Sequence, residues 1–265
     1  MTLSSILFLF LTHFGIGLAF TLLFVSREAG VKFFRFNTGL AALLLAIGFA
    51  FRTPTPALVG TVALAVAEVA LIVYWATVGR MWVKIRPALL PVACIGGLIA
   101  LIAQAVAVPQ HGSIPPATAT VLTIASFVTS AMLLGSTCGA MILGHWYLVI
   151  PSLDVAHLQA IARLHIGSMV VRLVVVTAAV FLAIATWQPG IGPSFERYIL
   201  SVSGIFFWQR VLFGLAPAVL SYMTLETAKI QSTQSATGIL YVDLFTVVVG
   251  EMLAKYLLLS TGVPL

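Results

Sequence analysis

Residues 159–187 read QAIARLHIGSMVVRLVVVTAAVFLAIATW, a stretch in which only Arg163, His165 and Arg172 can carry a charge. A bilayer core about 30 Å thick needs about 20 apolar residues in one helix, and this stretch exceeds that length. Its apolar residues follow one another without the alternation typical of the strands of a membrane barrel. The stretch therefore predicts a helix that crosses a membrane.

Other runs of the same kind occupy most of the chain. We place eight of them near residues 3–26, 36–51, 57–79, 87–108, 118–149, 159–187, 198–225 and 236–259. Turn-forming residues separate several of these runs, at 52–56, 109–116 and 188–193. No connection exceeds about a dozen residues, which leaves no room for an extramembrane domain. We predict an all-α, polytopic integral membrane protein in which residues 1–265 form a single transmembrane helical domain with eight transmembrane helices.

The composition excludes a water-soluble globule. Of the 265 residues, 61% are hydrophobic and 8% are charged, against about 25% charged residues in soluble domains. The net charge of +6 comes from residues that stand singly between apolar runs, so we expect no nucleic acid as a partner. Cys94 and Cys138 both lie in apolar runs and form neither a disulfide framework nor a CxxC motif.

Basic residues near the ends of the runs predict the orientation, because Lys and Arg collect on the cytoplasmic side. One side carries Arg27, Lys32, Arg35, Arg80, Lys84, Arg86, Arg163 and Lys229, and the other carries Arg52, Arg197 and Lys255. With eight helices, both termini then face outside (N-out/C-out). The start, MTLSSILFLF, lacks a positive segment and a cleavage site, so we expect it to stay in the mature protein. The expected location is a bacterial-type inner (plasma) membrane, with lipid as a partner.

Ionisable residues inside the runs are costly in hydrocarbon and therefore mark candidate sites. At 1.5 Å per residue, His145, His165 and Asp243 fall in one layer near the cytoplasmic side. The fifth and sixth helices are neighbours, so the two histidines could face each other and ligate a b-type haem. With Asp243 they could instead hold a metal ion. In the simpler alternative, each histidine hydrogen-bonds a group on the next helix.

A second layer contains His13, Glu68, Arg172, Arg210 and Glu251, nearer the middle or the outer half. These charges could balance one another in an internal salt-bridge network, and Glu251 could pair with Lys255 four residues later on its own helix. The same residue types would also serve a quinol site, a proton path or a route for an anion. Both interpretations stay open at this stage, and His13 could equally be a packing residue.

Two further patterns bear on a ligand site. The sequence Phe206-Phe207-Trp208-Gln209-Arg210 combines aromatic faces with hydrogen-bonding groups, which suits a quinone ring but also suits ordinary packing against lipid. Gly135 and Gly139 form a small-xxx-small face on the fifth helix. Such a face allows close approach of another helix, or leaves space for a flat cofactor.

The fifth run ends in Leu143-Gly144-His145-Trp146-Tyr147-Leu148, and the last run contains Gly250-Glu251. Together with eight helices, outside termini and short loops, these features resemble the quinol-interacting membrane anchors of the dimethyl sulfoxide reductase and polysulfide reductase type. The resemblance implies a subunit without a cofactor of its own, which oxidises or reduces quinone for an iron–sulfur and molybdopterin partner. In that family a histidine after the second helix serves the quinol site, whereas this chain reads Phe51-Arg52-Thr53-Pro54-Thr55 there. That site is therefore not carried over.

These patterns predict an integral membrane subunit of a respiratory or photosynthetic-type electron-transfer complex, with quinone or quinol, and optionally haem b, as cofactor. We expect a quinone-reactive or non-catalytic subunit with other protein subunits as partners. The candidate cofactor-binding residues are His13, Glu68, His145, His165, Arg172, Trp208, Gln209, Arg210 and Glu251. One alternative is a small-solute or ion transporter that uses the buried Glu/Arg network. Another is a lipid-modifying enzyme with a metal at His145, His165 and Asp243.

Overall fold

The computed structural model describes residues 2–52, 58–81, 84–109, 113–150, 153–189 and 194–265. These residues contain no strand, which confirms the all-helical prediction. Their α-helices are α1 (Leu3–Thr21), α2 (Gly30–Ala50), α3 (Leu58–Thr77), α4 (Arg86–Ala107), α5 (Pro116–Val149), α6 (Val155–Ala185), α7 (Phe195–Ile199), α8 (Ile205–Lys229) and α9 (Thr233–Thr261). The predicted turn residues 53–56, 110–112 and 190–193 lie outside the described part of the chain.

Within the described ranges, seven helical segments are long and apolar enough to cross a membrane. They are Leu3–Thr21, Arg27–Ala50, Leu58–Thr77, Arg86–Ala107, Pro116–Val149, Val155–Ala185 and Val202–Lys229. The run predicted at 236–259 forms α9, which is not one of the seven and which carries Asp243, Glu251 and Lys255. Many large apolar side chains lie exposed on the outside of the bundle, such as Val59 on α3 and Phe181 on α6. Such a surface suits lipid better than water, and the seven helices indicate a multi-pass membrane protein.

Two helices differ in extent from the prediction. Helix α2 begins at Gly30, six residues before the predicted start, and polar side chains in its first half have hydrogen-bond partners. Asn37 Nδ2 donates to the carbonyl of Phe33, and Arg35 Nη2 donates to the carbonyl of Val78 at the end of α3. The predicted seventh run, in contrast, is divided into α7 and α8. A turn separates the two helices at Gly204, where a Cβ atom would lie 2.2 Å from the Ile199 carbonyl oxygen.

Helices α1 and α5 lie at the centre of the bundle and run in the same direction. Their backbones touch where Gly17 meets Gly135, and a Cβ atom on Gly135 would lie 2.0 Å from the Gly17 carbonyl carbon. One helical turn further along, a Cβ atom on Gly139 would meet the Thr21 side chain at 2.7 Å. The predicted small-residue face is therefore a helix-packing face, since glycine alone allows this approach.

The second half of the bundle surrounds α9, which packs against α8, α5 and α1. Helix α6 runs antiparallel to α5 and packs against α8 on its other side. One cavity is lined by residues from both ends of the chain, among them Ser5, Val108, Phe195 and Val263. The beginning of α1 and the end of α9 therefore lie at the same end of the bundle. This arrangement brings the inward faces of α5, α6, α8 and α9 together around the ionisable residues.

Candidate functional site

Four buried side chains from α6, α8 and α9 form what we call the Glu251 cluster: Arg172, Arg210, Glu251 and Lys255. Arg172 is bidentate, with Nε 3.0 Å from Glu251 Oε1 and Nη2 2.9 Å from Oε2. Arg210 Nη2 donates to Oε1 at 3.1 Å. Lys255 Nζ lies 3.6 Å from Oε2, one turn further along α9. The carboxylate of Glu251 therefore holds three helices together through charge-assisted contacts.

Polar groups of α5 and α1 support this cluster. Arg172 Nη1 donates to the carbonyl and the hydroxyl of Ser126, at 3.1 and 2.7 Å. Lys255 Nζ donates to Ser130 Oγ at 2.6 Å and lies 5.4 Å from the ring centroid of Phe127. His13 Nδ1 lies 3.5 Å from the same Ser130 hydroxyl. The first helix thus reaches the cluster through Ser130, as the sequence suggested for His13.

The Glu251 cluster carries more positive than negative charge. Among the described residues, Glu251 is the only acidic side chain that pairs with Arg172, Arg210 and Lys255. Arginine stays protonated in proteins, so two guanidinium groups share one carboxylate whatever the state of Lys255. An unbalanced charge in a low-dielectric interior is costly. The cluster therefore favours any additional negative charge that can reach it.

A second polar group, the Asp243 cluster, consists of His165 and Asp243 with Ser136, Thr137 and Ser221 around them. His165 Nε2 lies 2.9 Å from Asp243 Oδ2, and both residues are fully buried. The hydroxyls of Ser136 and Thr137 lie 3.2 and 3.0 Å from His165 Nδ1 and also contact the Leu133 carbonyl. Within the described residues, His165 is the only basic side chain that pairs with Asp243.

An apolar layer separates the two clusters. His165 and Arg172 are seven residues apart on α6, or about 10 Å along the helix axis. Between the levels of His165 and Arg172, four apolar side chains pack together: Leu133, Leu134, Met169 and Val247. The polar residues along α6 therefore form two distinct sites and not one continuous polar column.

A cavity of about 450 Å³ lies between α6 and α8 and reaches the Glu251 cluster. Its walls are almost entirely apolar, apart from Thr177 and the two guanidinium groups. It is lined by Leu133, Met169, Arg172, Leu173, Val176, Thr177, Val180, Phe181, Ile184, Phe207, Arg210, Val211, Gly214, Leu215 and Leu265. Phe181 and Leu215 are also exposed on the outer surface of the bundle, whereas Arg172 and Arg210 are buried. The cavity therefore extends from the surface that would face lipid to the buried arginines.

Arg210 lines this cavity and has one donor without a partner. Its Nε is buried and has no hydrogen-bond partner within the described structure, although Nη2 is bound to Glu251. The guanidinium group lies over Gly214, where a Cβ atom would be 2.3 Å from Nη1. Because Gly214 has no side chain, the guanidinium group of Arg210 has room to lie over it. Buried donors without a hydrogen-bond partner are uncommon in proteins. We therefore expect a bound molecule to supply the missing acceptor.

The structure brings only some of the predicted site residues to this place. Arg172, Arg210 and Glu251 meet in one cluster, and His13 lies at its edge. Trp208 and Gln209 are exposed, although they flank Phe207 and Arg210, which line the cavity. Helix periodicity explains this difference, because neighbouring residues on a helix point about 100° apart.

Glu68 does not belong to the predicted salt-bridge network. Helix α3 packs against α2 and α4, away from the α6, α8 and α9 residues of the Glu251 cluster. Glu68 is half-buried there, and its Oε2 has no hydrogen-bond partner in the part of the chain that the structure describes. Lys255, which the sequence placed near the outer helix ends, occupies the network instead. Its spacing of four residues from Glu251 was the signal for this pairing.

The two predicted ligand histidines have different environments. His165 is buried against Asp243, whereas His145 is exposed and its Nδ1 lies 3.3 Å from the hydroxyl of Tyr241. Over the described residues, no three His, Cys, Asp or Glu side chains come together in a way that could hold a metal ion. The proposed metal trio of His145, His165 and Asp243 is therefore reduced to the buried pair. Both ring nitrogens of His165 are already engaged.

The supporting hydroxyls of Ser126, Ser130, Ser136 and Thr137 were not predicted, and neither was the role of Gly214. Spacings of four and seven residues place Ser126, Ser130 and Thr137 on one face of α5, with Ser136 beside them, but small polar residues also occur in many helices without such partners. The chain matches no protein-family model, and comparison with curated proteins and with solved structures gives no match either.

Proposed function

We propose that this chain is a quinone-binding membrane subunit of an electron-transfer complex, with its site in the cavity between α6 and α8. The observation that carries the proposal is an apolar cavity, reachable from the lipid side, that is lined by a buried arginine, Arg210, whose Nε has no hydrogen-bond partner among the described residues. A quinone has the complementary form, because it combines an apolar ring and tail with carbonyl oxygens that accept hydrogen bonds. Apolar pockets with a few oriented polar groups are the usual form of such sites.

The side chains of the cavity divide this task between them. Phe207 and Met169 would provide apolar contacts for a ring, and the Arg210 guanidinium group would provide a hydrogen bond for a carbonyl oxygen. Glu251 holds Arg210 in place, and Gly214 leaves room for the guanidinium group. An isoprenoid tail would leave between α6 and α8 past Phe181.

Quinol oxidation releases two electrons and two protons, and the electrons need an acceptor. In this proposal a partner subunit with iron–sulfur centres accepts them, as the resemblance to quinol-interacting anchors implies. The bundle would span a bacterial-type inner membrane with eight helices, including α9, and with Arg27, Lys32, Arg80 and Lys84 on the cytoplasmic side. The ends near Ser5 and Val263 would then face outside.

A direct test measures the binding of a short-tailed naphthoquinone to the purified chain in lipid nanodiscs. We expect saturable binding to the wild type and a loss of at least about tenfold for Arg210→Gln, since a charged hydrogen bond is removed. Arg163→Gln is the matched control, because it removes the same charge from an exposed position on α6. Equal binding to Arg210→Gln and Arg163→Gln would contradict the proposal.

Haem b is a separate part of the proposed function. Axial ligation by His165 would require breaking its contact with Asp243 or with the hydroxyls of Ser136 and Thr137. An optical spectrum before and after dithionite tests this directly. A Soret band that is lost in His165→Ala would assign haem to this residue, and a spectrum without a Soret band would restrict the proposal to quinone.

The excess positive charge of the Glu251 cluster favours a second candidate, the translocation of an anion. The apolar layer between the two clusters would then act as the barrier in the path. Flux of a radiolabelled anion into proteoliposomes tests this candidate. Flux that is abolished by Arg210→Gln, together with no naphthoquinone binding, would replace the quinone proposal by this one.

A further inference from the structure

We infer that the cavity between α6 and α8 selects an amphiphile with a negatively charged head, such as the ionised form of a hydroxyquinone. The inference rests on the proposed quinone site and specifies which chemical form the site prefers. Two observations support it: the cationic and anionic side chains that surround Arg210, and the position of its incompletely hydrogen-bonded guanidinium group beside the cavity.

The charge count includes every ionisable side chain that the described helices bring against Arg210. Helix α6 contributes Arg172 and helix α9 contributes Glu251 and Lys255, while α5 contributes only hydroxyl groups. The main-chain oxygen of Leu265 accepts a hydrogen bond from Arg172 at 2.8 Å. If that oxygen belonged to a carboxylate, the two guanidinium groups would face two anionic groups, and the excess positive charge would rest on Lys255. Arg210 has the weakest compensation, because it shares Glu251 Oε1 with the bidentate Arg172.

The geometry shows where a negative charge would lie. Arg210 is buried to more than nine-tenths and lines the cavity, its Nη1 lies over the cavity-lining Gly214, and its Nε has no partner among the described residues. A carboxylate-like or enolate oxygen beside this guanidinium group would accept a charge-assisted hydrogen bond, which is stronger than one to a neutral carbonyl. The remaining wall is apolar, so little water would screen the attraction.

The amphiphile requirement follows from the rest of the cavity. A small hydrated anion would lose its water at an apolar wall without replacement, whereas a ring and an alkyl tail would fill that wall. The opening beside Phe181 and Leu215 leads to the outer surface of the bundle and leaves a path for the tail. The expected ligand therefore has an ionised oxygen at one end and an apolar body.

The experiment compares two ligands of nearly equal size: an alkyl-tailed hydroxynaphthoquinone, whose hydroxyl is ionised at neutral pH, and its methyl ether, which is neutral. Both are titrated into the full chain in nanodiscs of zwitterionic lipid. We expect the wild type and Arg163→Gln to bind the anion at least tenfold more tightly than the ether. Arg210→Gln should lower this ratio to below threefold, and Arg210→Lys should keep an intermediate ratio. Comparing ratios between variants removes the difference in lipid partitioning.

Each other result has a defined meaning. Equal affinity of the wild type for both ligands would overturn the inference while leaving the quinone proposal intact. No binding of either ligand would overturn both. If a hydroxynaphthoquinone without a tail bound as tightly as the tailed one, the site would belong to a small free anion and the inference would be wrong. If Arg210→Gln does not fold, the wild-type ratio and Arg210→Lys still decide.

Discussion

The Glu251 cluster and the Asp243 cluster are both buried, and both combine acidic and basic residues from α6 and α9, yet they differ in balance and in access. In the Asp243 cluster, one acid faces one base. In the Glu251 cluster, three cations share one carboxylate, and the cavity between α6 and α8 reaches two of them. Burial and charge alone therefore do not mark a ligand site. In the function proposed above, the unbalanced charge and the open path to Arg210 distinguish the Glu251 cluster from the Asp243 cluster.

The largest expected effect is a difference in unfolding free energy between variants that neutralise the carboxylate of one cluster or of the other. Glu251→Gln removes the only acidic side chain that the described residues place against Arg172, Arg210 and Lys255, and we expect it to lower the free energy of unfolding by about 3–5 kcal/mol. Asp243→Asn is the matched change in the Asp243 cluster, where one acid faces one base. It keeps a hydrogen bond to His165 and should cost about 1 kcal/mol. Unfolding of the purified variants in detergent measures both, and equal losses would contradict the difference in balance.

The two histidines provide the next comparison. His165→Ala leaves Asp243 buried without its base and opens a small cavity, so we expect a loss of about 3 kcal/mol in unfolding free energy. His145→Ala removes an exposed side chain and should change it by less than about 0.5 kcal/mol. The same unfolding assay applies. A comparable loss for both variants would indicate that His145 has a buried role that the structure does not show.

A smaller effect is expected at Gly214. Gly214→Ala places a Cβ atom 2.3 Å from Arg210 Nη1 and forces the guanidinium group to move. We expect naphthoquinone binding to weaken about fivefold to tenfold, the equivalent of one weakened hydrogen bond. Gly167→Ala on α6 is the control, since its Cβ atom would meet no atom within 4 Å. Unchanged binding in Gly214→Ala would show that the position of Arg210 does not matter for the ligand.

Much of the fold follows from hydropathy, because each apolar run is longer than its connections and must lie in lipid or in the bundle interior. The small-residue face of Gly135 is also readable from spacing, and the structure shows it in contact with Gly17. The start of α2 was less predictable. Arg35 lies within the helix because it reaches the carbonyl of Val78, a partner that only the tertiary structure brings near.

The site was predictable only in part. Depth along each helix correctly placed Arg172, Arg210 and Glu251 at one level, because rise per residue is fixed. Depth does not specify which helices are neighbours, and for that reason Glu68 was assigned to a cluster that α3 does not reach. The direction in which a side chain points also depends on packing. His145 and His165 therefore ended in different environments despite their similar depth.

The most direct test of the central claim is photoaffinity labelling with an azido-naphthoquinone that carries an alkyl tail, followed by mass mapping of the labelled peptides. The account predicts labelling of residues 169–184 of α6 and 207–215 of α8, the two walls of the cavity. An excess of the unmodified naphthoquinone should suppress this label, and Arg210→Gln should reduce it. Competable labelling on α2, α3 or α4 alone, or no competable labelling at all, would contradict the assignment of the site.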